Sequence, residues 1–234
     1  MILVIAIAII AYISIGLATA VDSLCEDPSF NVNKVLDSYL YWFENGAYDT
    51  GATLYHTFSL MKQGFSHSQA VELSHLEYPS DGIAPAHRST PLALFLEDTA
   101  LDNAIYKESK LTHHSEISAE IAIASGRICS SLLKGIPFKE AIACSISDLN
   151  PLLFPPISTP EACSRDGYAP HVLHAALSFL RHYPSFTQAL NASLLFAGAE
   201  NYCPVLVGAI GGCLYGTIDL SLLAHPQTPK RFFS

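Results

Sequence analysis

At 234 residues the chain has room for one domain or at most a tight pair. Half of its residues are hydrophobic and only 14% are charged, which excludes intrinsic disorder and leaves ample material for a core. Twelve Lys and Arg against 21 Asp and Glu give a formal net charge of −9, so nucleic acid is excluded as a partner held by general attraction. The acidic excess suits cation binding or solubility instead.

The first element is the uncharged run from Met1 to Ala20. Its length and the Ala18-Thr19-Ala20 triplet fit a signal peptide, although no basic region precedes the apolar stretch. About 20 apolar residues also just span a bilayer, and a buried first helix is the third reading. Membrane contact is expected through residues 1–20 or not at all.

Beyond residue 24 the periodicity is helical, without strand-like alternation. Asn31 caps a segment that runs to Asn45, with Val35, Leu36, Tyr39, Leu40 and Phe43 as its apolar stripe and Gly46 as its stop. Further helices are expected over about 50–62, ending before Gly64, and about 68–77, ending before Pro79. The clearest pattern covers 115–134, where Ile117, Ile121, Ala124, Ile128 and Leu132 recur at steps of three and four. Gly135 ends it and Pro137 opens a helix over 137–147. Residues 149–166 hold four prolines and read as an ordered loop, after which helices resume at about 170–181, 186–196 and 204–216. The expected fold is all-α: an orthogonal multi-helix globule of eight to ten helices, because a four-helix bundle is too small for this many segments.

Six cysteines at 25, 129, 144, 163, 203 and 213 form no C-x-x-C pair. A chain of this size needs no disulfide framework, so most are expected to be small buried hydrophobes on helices. Asp49-Thr50-Gly51-Ala52-Thr53 opens a helix, and plain capping accounts for its Asp and Thr. The segment Ser80-Asp81-Gly82-Ile83-Ala84-Pro85-Ala86-His87-Arg88 lets backbone N–H groups approach a diphosphate closely; Arg88 reads equally as a ligand contact or a structural arginine. Thr112-His113-His114 is assigned to loop and cap chemistry rather than metal, because adjacent side chains rarely converge. His171 and His174, at i and i+3, read as surface histidines with no Glu or Cys at ligand spacing. No P-loop, G-x-S-x-G, H-E-x-x-H or dinucleotide fingerprint is present.

Taken in order, these pieces resemble the ADP-ribosylglycohydrolase family, which includes the jellyfish J-type crystallins. Leu17-Ala18-Thr19-Ala20 with Asp22-Ser23-Leu24 is similar to the family's first metal-site helix. Asp49-x-Gly51-x-Thr53 follows a Tyr/Trp-rich helix, Tyr39-Leu40-Tyr41-Trp42, as the family's D-x-G-x-T stretch does. Residues 80–92 resemble its glycine-rich segment ending in Arg-x-x-Pro-Leu, and Thr112-His113 its Thr-His pair. Gly167-Tyr168 with Leu173-x-Ala175-Ala176-Leu177, then Ser185-Phe186-x-x-Ala189-Leu190, resembles the approach to its second metal loop. Gly208-Ala209-x-x-Gly212-x-x-x-Gly216 matches the closing small-residue helix.

The resemblance implies an all-α domain over 21–234, behind the apolar segment 1–20. It implies ADP-ribose or an ADP-ribosylated substrate as partner, with Asp49, Gly51, Thr53, Gly82, Ala84, Arg88, His113 and Tyr168 as ligand-binding positions. It also implies two Mg²⁺ ions, hard cations that take carboxylate oxygens and activate a water at the anomeric carbon. The sequence departs from that pattern at both ends. Where a Thr-Asp-Asp-Thr turn belongs it reads Ile10-Ala11-Tyr12-Ile13, and in the late loop Ala199, Asn201 and Tyr202 stand for Asp, Asp and Thr. In the crystallin-like register Glu200 and Asn201 take the Asp and Asn places. Glu200 and Asn201 are therefore the expected residual metal ligands, and impaired or lost Mg²⁺-dependent hydrolysis is the expected outcome, with no cofactor held at all as one version of it. The alternative is a non-catalytic, crystallin-like or ADP-ribose-binding protein. With 17–24 placed in a domain helix, a cytoplasmic chain with a rewritten start is preferred over secretion or anchoring; a truncated start, with the acidic turn encoded upstream, is a further reading.

Overall fold

The computed structural model describes residues 30–47, 50–198 and 201–216. The readings made for residues 1–24, for Asp49 and for Glu200 lie outside the described residues. Ten α-helices and three short 3₁₀ turns make up the described chain, with no strand among them.

Helix α1 (Val32–Glu44) starts where Asn31 Oδ1 accepts the N–H groups of Asn33 and Lys34 at 3.1 and 3.3 Å. α2 (Ala52–Lys62) differs from expectation at its start: the capping position is Gly51, at φ 69° and ψ 153°, and no side chain caps it. That backbone conformation is open to glycine and strained for any residue with a Cβ, so backbone geometry sets this boundary. α3 (His67–Glu77) carries a reciprocal capping box between Ser66 and Gln69.

Two helices escape the sequence reading. α4 (Ala84–Ser89), continued by a 3₁₀ turn over Thr90–Leu94, is too short to show a period. α5 (Asp98–Ser109) completes its buried face with Ala104, Glu108 and Ser109 beside Leu101 and Ile105, so its apolar stripe is thin. α6 (Glu116–Leu133) is capped by Ser115, whose Oγ accepts the Ser118 N–H at 3.1 Å. α7 (Phe138–Ser145), α8 (Ala169–His182), α9 (Phe186–Phe196) and α10 (Cys203–Tyr215) follow, with the proline-rich loop between α7 and α8 ordered by 3₁₀ turns at Pro151–Leu153 and Pro160–Ala162.

α6 is the central element, packed by α4, α5, α7, α8 and α10. Its Ile121, Ala122, Ala124 and Ile128 are fully buried. Gly126 allows α5 to come close, since a Cβ there would lie 2.2 Å from Ile105 Cδ1. α10 is apolar all round and buried over Cys203–Gly212, the pattern of a helix enclosed on every side. A smaller cluster of Val35, Tyr39, Trp42, Leu54, Phe58 and Leu111 joins α1 and α2 to the end of α5. Cys129, Cys163 and Cys203 are buried, Cys213 is half-buried and Cys144 is exposed; among the described residues none is disulfide-bonded. No described helix is long and apolar enough to cross a membrane.

Candidate functional site

The interior anchor of the site is Arg88 on α4. Its Nε donates to Glu108 Oε1 at 2.7 Å, one Nη donates to Thr112 Oγ1 at 2.7 Å, and its guanidinium lies 5.6 Å from the Tyr39 ring centre. Tyr39 Oη also donates to Glu108 Oε1, at 2.9 Å. Arg88 is 6% exposed and Glu108 2%, so both charges are out of water and depend on each other. Burial alone would weaken the arginine's charge, but Glu108 and Tyr39 more than offset it and its pKa is raised. Burial, then the Glu108 charge, pushes the Tyr39 phenol well above its ordinary value. Of the two roles open to Arg88 from sequence, this geometry fulfils the structural one.

Around this anchor several loops meet. The Ala169 N–H donates to the Asp81 carbonyl at 2.9 Å, and Gly82 forms an isolated antiparallel bridge with Tyr168. Ser115 Oγ donates to Asp81 Oδ1 at 2.6 Å, which ties the start of α6 to the same loop. A Cβ on Gly82 would sit 3.1 Å from Ser80 Oγ and 3.7 Å from His113 Nε2, so the glycine keeps this junction close. Gly82, His113 and Tyr168, distant in sequence, are thereby brought together. Ala84 follows on the first turn of α4, half-buried. Gly51 and Thr53 sit at the start of α2; the Thr53 carbonyl accepts Ser74 Oγ at 3.5 Å, and no hydrogen bond among the described residues joins either to the junction. One turn later Thr57 Oγ1 donates to the Thr112 carbonyl at 3.4 Å.

The loop before α8 carries a second cluster. Asp166 accepts from Ser164 Oγ at 2.8 Å, from the Tyr168 N–H at 3.1 Å, and holds His171 Nδ1 at 2.9 Å from both carboxylate oxygens. Burial pulls the Asp166 carboxyl upward, but Ser164, His171 and the Tyr168 N–H outweigh it and hold it below its ordinary value. The Tyr168 ring meets His171 edge-on at 5.0 Å. Asn201 closes the junction from the α10 side: its Nδ2 donates to the carbonyls of Ser164 and Asp166 at 3.0 and 3.2 Å, and its Oδ1 accepts the Cys203 N–H at 3.1 Å.

The histidines divide by environment. His87 and His113 are pushed down to about 3, chiefly by burial and then by the Arg88 charge, so both are neutral at physiological pH. His87 Nε2 is buried without a hydrogen-bond partner, and its ring lies 6.4 Å from that of Tyr202. His113 Nδ1 pairs with Thr112 Oγ1 at 2.8 Å while His114 stacks on His75 at 4.9 Å, so the adjacent pair diverges as loop chemistry requires. His171 is 44% exposed beside Asp166, while His174 Nε2 lies 3.1 Å from the Pro156 carbonyl and 3.2 Å from the Ser158 nitrogen, with Nδ1 3.8 Å from Cys163 Sγ.

Of the two expected metal ligands only Asn201 lies among the described residues. Its oxygen accepts the Cys203 N–H, and the nearby Asp166 carboxylate is shared among Ser164, His171 and Tyr168. Among the described residues no three His, Cys, Asp or Glu side chains are placed to hold a metal ion. Sequence reasoning missed Tyr39, Glu108, Ser115 and Asp166 as participants. Tyr39, within the Tyr/Trp-rich helix, and Asp166, immediately before the Gly167-Tyr168 motif, carried a local signal.

Comparison with known proteins places this architecture. The sequence model of the ADP-ribosylglycohydrolase family matches residues 13–222. Among curated proteins none matches significantly. A solved structure described as an ADP-ribosylglycohydrolase-related protein complex superposes with a TM-score of 0.69 at 21% identity, covering 93% of this chain and 72% of that one, a likeness of fold. With nine-tenths of its length matched by the family model, the chain belongs to the ADP-ribosylglycohydrolase family.

Proposed function

We propose that this protein is an ADP-ribosylglycohydrolase-fold protein in which Mg²⁺-dependent hydrolysis of ADP-ribosylated substrates is impaired or lost, with residues 21–234 as one domain. One observation carries the reading: Asn201, where the family's common register has a metal-binding Asp, is fully buried with both its amide donors and its oxygen taken by the protein. A divalent cation needs several hard, preferably charged oxygens, and this neutral amide offers one oxygen that already accepts an N–H. In this reading the junction of Gly82, His113 and Tyr168 is the place where an ADP-ribosyl group would be received; Arg88, Glu108 and Thr112 would hold that junction in place from beneath.

The direct assay is release of ADP-ribose from modified protein and small-molecule substrates, with and without Mg²⁺. No turnover above the uncatalysed rate is expected, and robust Mg²⁺-dependent turnover overturns the reading. The second reading, a non-catalytic binding or structural protein, is favoured by the assembled loop junction and is separated by calorimetry with ADP-ribose. Binding without turnover identifies a receptor; absence of both leaves a structural role. Glu200 is the one acidic residue of the late loop, and Glu200→Gln should abolish any Mg²⁺-induced thermal shift if it acts as a ligand.

A further inference from the structure

We infer that Asn201 is a metal-independent latch, which holds the loop before α10 onto the loop before α8 by hydrogen bonds that a metal-binding carboxylate at the same position could not make. The inference rests on the reading of the cleft given above but concerns how the loop keeps its shape. The side-chain amide has two N–H donors and one oxygen, and all are used: Nδ2 on the Ser164 and Asp166 carbonyls, Oδ1 on the Cys203 N–H. Oδ1 thereby satisfies one of the N–H groups left open at the start of α10. The residue is fully buried; its bond to the Cys203 N–H is closed to water and those to Ser164 and Asp166 are partly so.

A carboxylate at this position would keep the bond to Cys203. Its second oxygen, however, would replace Nδ2 and face two carbonyl oxygens with no proton to share, inside the protein. A cation between the carboxylate and those carbonyls could relieve that repulsion, whereas the amide needs none. Amide latch and ligated carboxylate are thus alternative solutions to one structural problem. The latch also reaches the ligand junction: it grips Ser164 and Asp166, Asp166 positions Tyr168, and the bridge between Tyr168 and Gly82 continues the tie to α4.

The test pairs Asn201→Asp with measurements on the unmutated chain. The substitution should lower Tm by about 5–10 °C, since two buried donors are lost and a charge is introduced. It should also speed exchange of the Cys203 amide tenfold or more. In the unmutated protein the protection of that amide should be the same in EDTA and in Mg²⁺, a readout that stands even if the variant fails to fold. An unchanged Tm in Asn201→Asp, or a Mg²⁺-dependent gain in Tm or protection in the unmutated protein, overturns the latch. Mg²⁺-dependent release of ADP-ribose, with the latch measurements as expected, would overturn the functional reading alone.

Discussion

Replacing Arg88 with Met separates the two roles that its sequence left open. The guanidinium is 6% exposed and donates to both Glu108 and Thr112, while Glu108 Oε2 already has no hydrogen-bond partner. Removing the arginine leaves a carboxylate buried with only the Tyr39 hydroxyl for company. Stranding a buried charge in this way costs about 3–5 kcal/mol. For a domain of this size each kcal/mol shifts Tm by about 2–4 °C, so a fall of about 6–20 °C is expected in thermal or urea unfolding. The double variant Arg88→Met/Glu108→Met should be more stable than Arg88→Met, because it removes the stranded charge as well. If instead Arg88→Met changes Tm by less than about 2 °C while abolishing ADP-ribose binding, Arg88 is a ligand contact and the structural argument fails.

Three further outcomes follow from the geometry. Acid should destabilise the fold: His87 and His113 stay neutral in the folded chain down to about 3, whereas the unfolded chain takes up protons near the ordinary 6.5. Their contribution is therefore complete above about pH 6.5 and falls by about 2 kcal/mol per histidine by pH 5, as urea midpoints at pH 7.5 and 5 should show; equal midpoints would contradict the burial. Gly51→Ala should cost about 1 kcal/mol or more in chemical denaturation through backbone strain at φ 69°, although a Cβ there meets nothing within 4 Å; a neutral effect would show that α2 can begin in another conformation. Gly126→Ala should lower stability by about 1–3 kcal/mol by driving a methyl into Ile105, outweighing the usual helical gain, and Ile105→Val should recover part of the loss in the double variant.

Long periodic helices are legible in this sequence because burial against a core imposes a repeat that needs no knowledge of the partner. α6 and α10 announce themselves through their runs of apolar and small residues, and Asn31 marks a helix start through capping chemistry confined to three residues. The family too was readable, since its motifs are short local strings kept in order. What needed the tertiary structure is each pairing between distant residues. Glu108 reads as a charge on a weakly patterned stretch until Arg88, 20 residues earlier, is folded against it. Asn201 reads as a candidate metal ligand, and nothing near it in sequence shows that the loop 35 residues earlier supplies two carbonyls to its amide N–H groups. Hydrogen-bond capacity is written in the residue type, but whether a cation, a water or another part of the chain takes it up depends on what the fold brings within 3 Å, and that is decided by packing.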